Sequence, residues 1–332
     1  MSALPPSLGR RRSLAGIGTA LAGAWQQPVS AQPAQEWPAK PLRMLVPYTA
    51  GGGTDLLTRQ VCEHLARRLK QPVIVDNRPG ANGVIATEQL AKSTADGYAL
   101  MVGVPSTIVI NPQLYKLNYD ALRDLLPLAQ VATAHFVLVT ASDSGINSLG
   151  ELLTAARASP GRLSYASYGN GSAPHLAGVM LKSLAGAELT HVPYKGAMQA
   201  LPDVLSGRVS CIFDVVANVL PHIRAGRLRA LAAAGHHAPP QLPQLPTIES
   251  SVPRFAVEGW VGFFAPVGLP ADIARRLSDE LVSATRQPAL RQKLLDTGFE
   301  VTGLTLEAFS PVVRADYVTY AKAVQAAGLK IE

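Results

Sequence analysis

Three turns in this 332-residue sequence concentrate the residues best suited to hold a small anion. They are Thr49-Ala50-Gly51-Gly52-Gly53-Thr54, Ser167-Tyr168-Gly169-Asn170-Gly171-Ser172 and Tyr194-Lys195-Gly196. Each follows a β-rich run and opens a helical one. A helix start offers unpaired N–H groups and roughly half a positive charge. Glycine lets the backbone approach a ligand closely, and Thr or Ser hydroxyls add donors. One such turn alone is a common tight connection. Three of them, one early in the chain and two in its middle, point to a cleft between two α/β bodies, because open sheets place ligands beyond the carboxyl ends of their strands.

Other chemistries find no support. Gly51-Gly52-Gly53-Thr54-Asp55 lacks the lysine of a phosphate loop, and Gly169-Asn170-Gly171 is not followed by a third glycine in dinucleotide-binding register. Ser172 stands in Asn-Gly-Ser-Ala-Pro and not in a G-x-S-x-G elbow, with His175 three residues further along the same short helix. No base, nucleophile and acid converge, so no catalytic residue is assigned and an enzyme is not expected. The seven histidines, including His236-His237 in a proline-rich stretch, form no HExxH spacing, so neither a metal nor another cofactor is expected. His175 reads first as a half-buried structural histidine and second as a polar group on a cleft-facing helix. Asp55 falls in the first turn of its helix, where a carboxylate binds free N–H groups and shapes the loop. Asp214 closes a strand at its ligand-binding end. If it faces the cleft, it argues for an amine or hydroxyl on the ligand, since a carboxylate repels an anion. Ser106, just beyond the run 98–104, completes the candidate ligand-binding set.

The elements that must position these residues are legible from periodicity. A β-rich run at 42–48, a helix whose Leu57, Val61, Leu65 and Leu69 repeat every four, and a run at 73–75 make a βαβ unit. A helix at 84–92 and a run at 98–104 extend it to three parallel strands. After the apolar stretch 128–140, Ser148-Leu149-Gly150-Glu151 gives a capping-box start to a helix that ends before Pro160-Gly161. A second βαβ rhythm follows, with strands at 163–167, 189–192, 209–213 and 228–232. Helices near 175–184, 197–205 and 216–225 separate them, and Gly207 and Gly226 are the helix stops. A proline-rich excursion at 236–246 precedes a second apolar run at 255–266. Helices close the chain, with Pro270 in a first turn, Gly298 as a break, and a last helix at 306–324 bent at Pro311. The two long apolar runs are expected to cross between lobes as a two-strand hinge. Lobe 1 is then 40–138 with 262–332, and lobe 2, inserted, is 139–261.

Residues 1–31 read as an export signal: Arg10, Arg11 and Arg12, a weakly apolar 14–25, then Val29, Ser30 and Ala31 before cleavage. Arg11-Arg12-Ser13-Leu14 also fits a twin-arginine leader, so the general and the folded-export routes both stay open. The formal charge of +7 includes those three arginines, which leaves +4 beyond Ala31. No Lys/Arg stripe interleaved with aromatics is present, so nucleic acid is not an expected partner. No apolar run approaches the roughly 20 residues of a membrane span. Cys62 and Cys211 fall in different lobes and read as buried free thiols.

The ordered motifs Trp37-Pro38 with Lys40-Pro41, Val46-Pro47-Tyr48 into Gly51-Gly52-Gly53-Thr54-Asp55, Val75-Asp76-Asn77-Arg78-Pro79-Gly80-Ala81 and Ala95-Asp96-Gly97-Tyr98 resemble the tripartite tricarboxylate transporter substrate-receptor family, the Bug proteins. The likeness continues through 165–176, His191-Val192-Pro193-Tyr194-Lys195-Gly196 and 260–270. It implies a type II periplasmic binding-protein fold, with two α/β lobes on a two-strand hinge closing over a carboxylate. It also implies that backbone amides, hydroxyls and bridging waters hold that carboxylate. Carried over position by position, it assigns Gly52, Gly53 and Thr54 in lobe 1 and Ser167, Gly171, Ser172, Tyr194 and Gly196 in lobe 2, with Asp55 at the family's acidic position. Tyr48 lines the cleft or packs beneath it. The sequence departs from the family at Thr49-Ala50 and Ser167-Tyr168, and Tyr168 is expected to narrow the pocket. The implied function is a periplasmic, monomeric solute-binding protein serving membrane permease subunits. A co-receptor reporting the same ligand to a sensor kinase is the alternative.

Overall fold

The computed structural model describes residues 37–326, 328 and 329, and the leader expected at 1–31 lies outside the described residues. The first strands are β1 (Leu42–Val46), β2 (Val73–Asn77) and β3 (Ala99–Gly103), parallel in the order β2-β1-β3. The helices α1 (Gly53–Leu69) and α2 (Val84–Ala91) connect them. Leu57, Val61, Leu65 and Leu69 of α1 are all buried, as their four-residue spacing requires. Lys70, in the left-handed region at φ 54°, ends that helix. A π-helical turn at Ser106–Ile110 leads into the short α3 (Asn111–Leu114) and then into β4 (Leu125–Ala141).

The inserted segment contains α4 (Leu149–Ala158), β5 (Ser164–Ser167), α5 (Ala173–Ala185), β6 (Thr190–Pro193), α6 (Ala197–Leu205), β7 (Cys211–Val215), α7 (Val216–Arg224) and β8 (Leu228–Ala233). The Ser148 hydroxyl accepts from the Glu151 amide at 3.2 Å, as the capping box predicts. The Glu151 carboxylate accepts from the Asn147 amide, one residue before the cap. The chain closes with β9 (Glu258–Pro266), α8 (Ala271–Arg286), α9 (Pro288–Asp296), β10 (Phe299–Leu304) and α10 (Leu306–Ala326). β10 was not expected from the sequence, although Phe299 and Val301 point inward and Glu300 and Thr302 outward in the alternation of a strand. The final helix is unbroken at Pro311.

β4 belongs to both lobes. Its first part pairs antiparallel with β9 over Leu125 to His135, and β10 flanks its other edge from Gln130 to Ala134. From Phe136 onward its partners are β7 and β8, again antiparallel. Parallel pairs β5–β7 and β5–β6 extend the second sheet, while β9 joins the first sheet through β3. The return crossing lies between β8 and β9, where Ala234 donates to Phe136 of β4 and accepts from Val257. The molecule is thus an α/β protein of two lobes on a two-strand hinge. Cys62 in α1 and Cys211 in β7 are free and buried, and burial pushes both thiols up to about 12.

Rings of Trp260 and Phe264 on β9 meet Phe309 of α10 at 5.1 and 5.6 Å, which locks the last helix onto the hinge. Between them Gly262 lets Phe309 approach, because a Cβ there would lie 2.4 Å from the Phe309 ring. Gly262→Ala is expected to destabilise the fold by about 1–3 kcal/mol through overpacking. Thermal melts would show this as a Tm lowered by several degrees, and an unchanged Tm would mean that α10 does not clamp the hinge.

Candidate functional site

One cavity lies where the two lobes meet. It offers about 660 Å³ of free space, part of it open to solvent. From lobe 1 it is lined by the β1–α1 turn (Tyr48, Thr49, Gly52, Gly53, Thr54, Asp55) and by Ser106 after β3. From lobe 2 come Tyr168, Gly196, Ala197, Met198 and Asn218, and the hinge strands add Phe136 and Trp260. No lysine, arginine or histidine is among the lining residues.

The β1–α1 turn is held by Asp55. Its carboxylate accepts from the Gly51 amide at 2.9 Å, the Asn77 side chain at 2.9 Å and Arg59 at 2.9 Å. Burial acts to raise its pKa, but these bonds and the Arg59 charge outweigh it and hold the carboxyl below its usual range. Asp55 is therefore spent on the loop, and the amides of Thr54 and Asp55, in the first turn of α1, have no intrahelical acceptor. Opposite them the first turn of α6 presents Ala197 and Met198 behind Gly196, whose φ of 148° suits glycine. Thr49, Thr54, Ser106 and Tyr48 add hydroxyls to the same wall.

Three hydrogen bonds cross between lobes around the cavity. The Gly53 amide donates to Asn218 Oδ1 at 2.7 Å, the Ala173 amide donates to Ser106 Oγ at 3.0 Å, and the Tyr115 hydroxyl donates to the Asn170 carbonyl at 2.7 Å. Tyr48 and Tyr168 meet edge-on at 6.4 Å and stand between this cavity and a neighbouring one that also has Tyr194, Lys195, Asn82 and Asn170 in its wall.

Of the residues singled out from the sequence, Tyr48, Gly52, Gly53, Thr54, Asp55, Ser106, Tyr168 and Gly196 line the one cavity. Tyr194 lines the neighbouring one, and its hydroxyl donates to Asp203. Ser167, Gly171, Ser172, His175 and Asp214 stand behind the wall. Ser172 Oγ accepts from the His175 amide and donates to the Gly169 carbonyl, capping α5. The Gly171 amide donates to His175 Nδ1 at 3.0 Å, which fixes that nitrogen as an acceptor. His175 stacks at 4.0 Å on His191, whose Nε2 lies 2.6 Å from Ser167 Oγ. Asp214 is fully buried and accepts from the Tyr168 hydroxyl and from Asn218. Asn218, Trp260 and Phe136 were not anticipated. Asn218 follows a strand and opens a helix like the other site residues, but with no glycine to mark the turn, whereas Trp260 and Phe136 lie in the apolar runs assigned to the hinge.

Residues 57–326 match the family described as tripartite tricarboxylate transporter family receptor. Protein BugT of Bordetella pertussis is 36% identical over 298 residues, covering 89% of each chain. Among solved structures, an R. palustris protein with adipate superposes with a TM-score of 0.85 at 31% identity, covering 89% of this chain and 99% of that one. MatC from Rhodopseudomonas palustris with bound malate gives 0.82 at 28% identity, covering 86% and 99%.

The stacked histidines beneath the second lobe's glycine turn make acid a probe of the site. Burial, and for His175 the neighbouring His191 charge, lower both to about 4. A histidine whose folded pKa is depressed contributes stability above its unfolded value near 6.5 that is lost as pH falls toward 4. For His175 the loss by pH 4.5 is roughly 2–3 kcal/mol. Denaturant titrations at pH 7 and 4.5 should show it, and His175→Asn should shrink the difference. Equal stability at both pH values would contradict a neutral buried pair.

Proposed function

The chain belongs to the tripartite tricarboxylate transporter receptor family, whose members are periplasmic solute-binding receptors and not enzymes, and from that premise we propose that it captures a small carboxylate between its lobes. The observation that carries the reading is the facing pair of helix starts. Unpaired amides of α1 and α6 look into one cavity whose walls offer hydroxyls and rings but no cationic side chain. Such amides favour an anion through hydrogen bonding and the helix dipole together. Adipate and malate in two related structures support a carboxylate of similar size here. A dicarboxylate, a tricarboxylate, an acidic amino acid or an aromatic acid meets the same requirement.

The mechanism is capture by closure. The moving bodies are 40–138 with 262–332 against 139–261, turning about the hinge. A ligand bonded to α1 on one side and α6 on the other binds the closed arrangement better and shifts the equilibrium toward it. The closed form then docks on membrane permease subunits, in keeping with the family's transporter. The leader-like 1–31 is consistent with the periplasm as the working compartment.

Thermal-shift and calorimetric titration with di- and tricarboxylates, acidic amino acids and aromatic acids tests this. An acid at 100 times its Kd should add about 2.7 kcal/mol of stability, and no response to any of them would overturn the carboxylate reading. Gly53→Val supplies the site control. A Cβ at Gly53 would lie 2.8 Å from that of Ala217 and 3.1 Å from Asn218 Oδ1, so closure is blocked. The variant should melt cooperatively and lose at least tenfold in affinity for any responding acid, whereas retained affinity would move the site elsewhere.

A further inference from the structure

Behind the cavity wall sits one acidic group that the capture mechanism leaves unused. Asp214 has no solvent exposure. Its Oδ1 accepts from the Tyr168 hydroxyl and from Asn218 Nδ2 at 2.7 Å, while its Oδ2 is buried with no partner. Both donors are themselves wall residues, and Asn218 passes the connection on by accepting from the Gly53 amide of the other lobe. The carboxyl therefore stands two hydrogen bonds from the start of α1.

The groups packed around Asp214 offer no counter-charge. β4 places Val137 opposite it, α7 contributes Asn218, and the β5–α5 turn contributes Tyr168, whose ring edge meets Tyr48. The two tyrosines are the titratable neighbours, and burial holds both phenols above their ordinary value. The wall's other carboxylate, Asp55, is already matched by Arg59. A ligand carboxylate arriving at α1 would thus face an unneutralised carboxylate across Asn218, in a cavity with no cation in its wall. Two such charges do not both persist at close range in low dielectric; one of them takes a proton.

We propose that Asp214 takes up a proton as the ligand binds, so that the cavity captures a carboxylate and a proton together. The proton goes to Oδ2, the oxygen with no donor, while Oδ1 keeps its bonds to Tyr168 and Asn218. The balance is simple: one carboxylate charge and one proton leave solvent, the Asp214 carboxylate becomes neutral, and the net charge of cavity and wall together is unchanged. Burial already pushes the Asp214 carboxyl up to about 7, so a small further rise on binding moves it across the working range. Asp214 is on this account a positioning and charge-balancing residue that acts through Asn218 and Tyr168 without touching the ligand. The inference rests on the carboxylate reading above.

The test is calorimetric titration of the full chain with adipate and with malate, in phosphate and in Tris, whose protonation heats differ, and over pH 6–9. In the wild type the apparent heat should differ between buffers by a substantial fraction of one proton per ligand. Affinity should fall by up to about tenfold per pH unit above the Asp214 titration. Asp214→Asn should bind with buffer-independent heat and a flat pH profile, a change that a purely structural role would not produce. If that variant does not fold, Tyr168→Phe assigns the group, since loss of one donor should move the uptake to higher pH. Buffer-independent heat and pH-flat affinity in the wild type would overturn proton capture while leaving carboxylate capture intact. Failure of the whole acid panel to bind would overturn the carboxylate reading, and proton capture with it.

Discussion

A single strand, β4, is hydrogen-bonded along its 17 residues to four others: β9 and β10 in one lobe, β7 and β8 in the other. The helix starts that face the cavity hang from strands tied to it through the ladder: α1 from β1 by way of β3 and β9, and α6 from β6 by way of β5 and β7. The burial pattern explains the apolar run that encodes it, since from Leu128 to Ala141 only Thr133 is less than fully covered. A strand covered on both faces cannot alternate polar and apolar residues, so it reads as continuous hydrophobicity. Register shifts against β9 near Leu128 and Val131, and against β8 between Leu138 and Val139, mark where the ladder bends as it passes from one lobe to the next.

The polar side chains around the cavity divide into those that shape it and those that remain available. Asp55, Asn77 and Arg59 fix the triple-glycine turn, and Ser167, Ser172, His175 and His191 fix the second turn from behind. Each buried polar group that is satisfied in this way avoids a desolvation cost of about 1–3 kcal/mol. What is left facing inward is backbone with a few hydroxyls, those of Thr49 and Thr54 among them.

Much of this was legible in the sequence because the local rules are strong. The four-residue repeat of α1, the capping box at Ser148 and the glycine stops at Gly207 and Gly226 placed elements to within a few residues. Glycine-rich helix openings pointed to one end of each sheet. β10 escaped because its six residues include Gly303 and only two strictly alternating pairs, which is too short a signal beside two strong helices. Asn218, Phe136 and Trp260 escaped for a different reason. Their place in the wall depends on how the lobes meet, through pairings such as Phe136 with Val215 that join residues far apart in the chain. Periodicity is blind to such contacts, and so it could not tell that the serines of the second turn point away from the cavity to support it, although His175 had already read first as a structural histidine.

The absence of lysine, arginine and histidine from the cavity wall bears on kinetics as well as on recognition. Attraction by a distant cationic cluster speeds encounter but weakens steeply as salt shortens the screening length to about 10 Å at 0.1 M. Amides and helix ends reach only as far as the first or last turn. Arrival of the ligand is then governed by diffusion and by how often the lobes part, and its residence by the enclosed hydrogen bonds. A receptor built in this manner keeps nearly the same performance in dilute and in salty surroundings, which suits a compartment whose ionic strength follows that of the outside world.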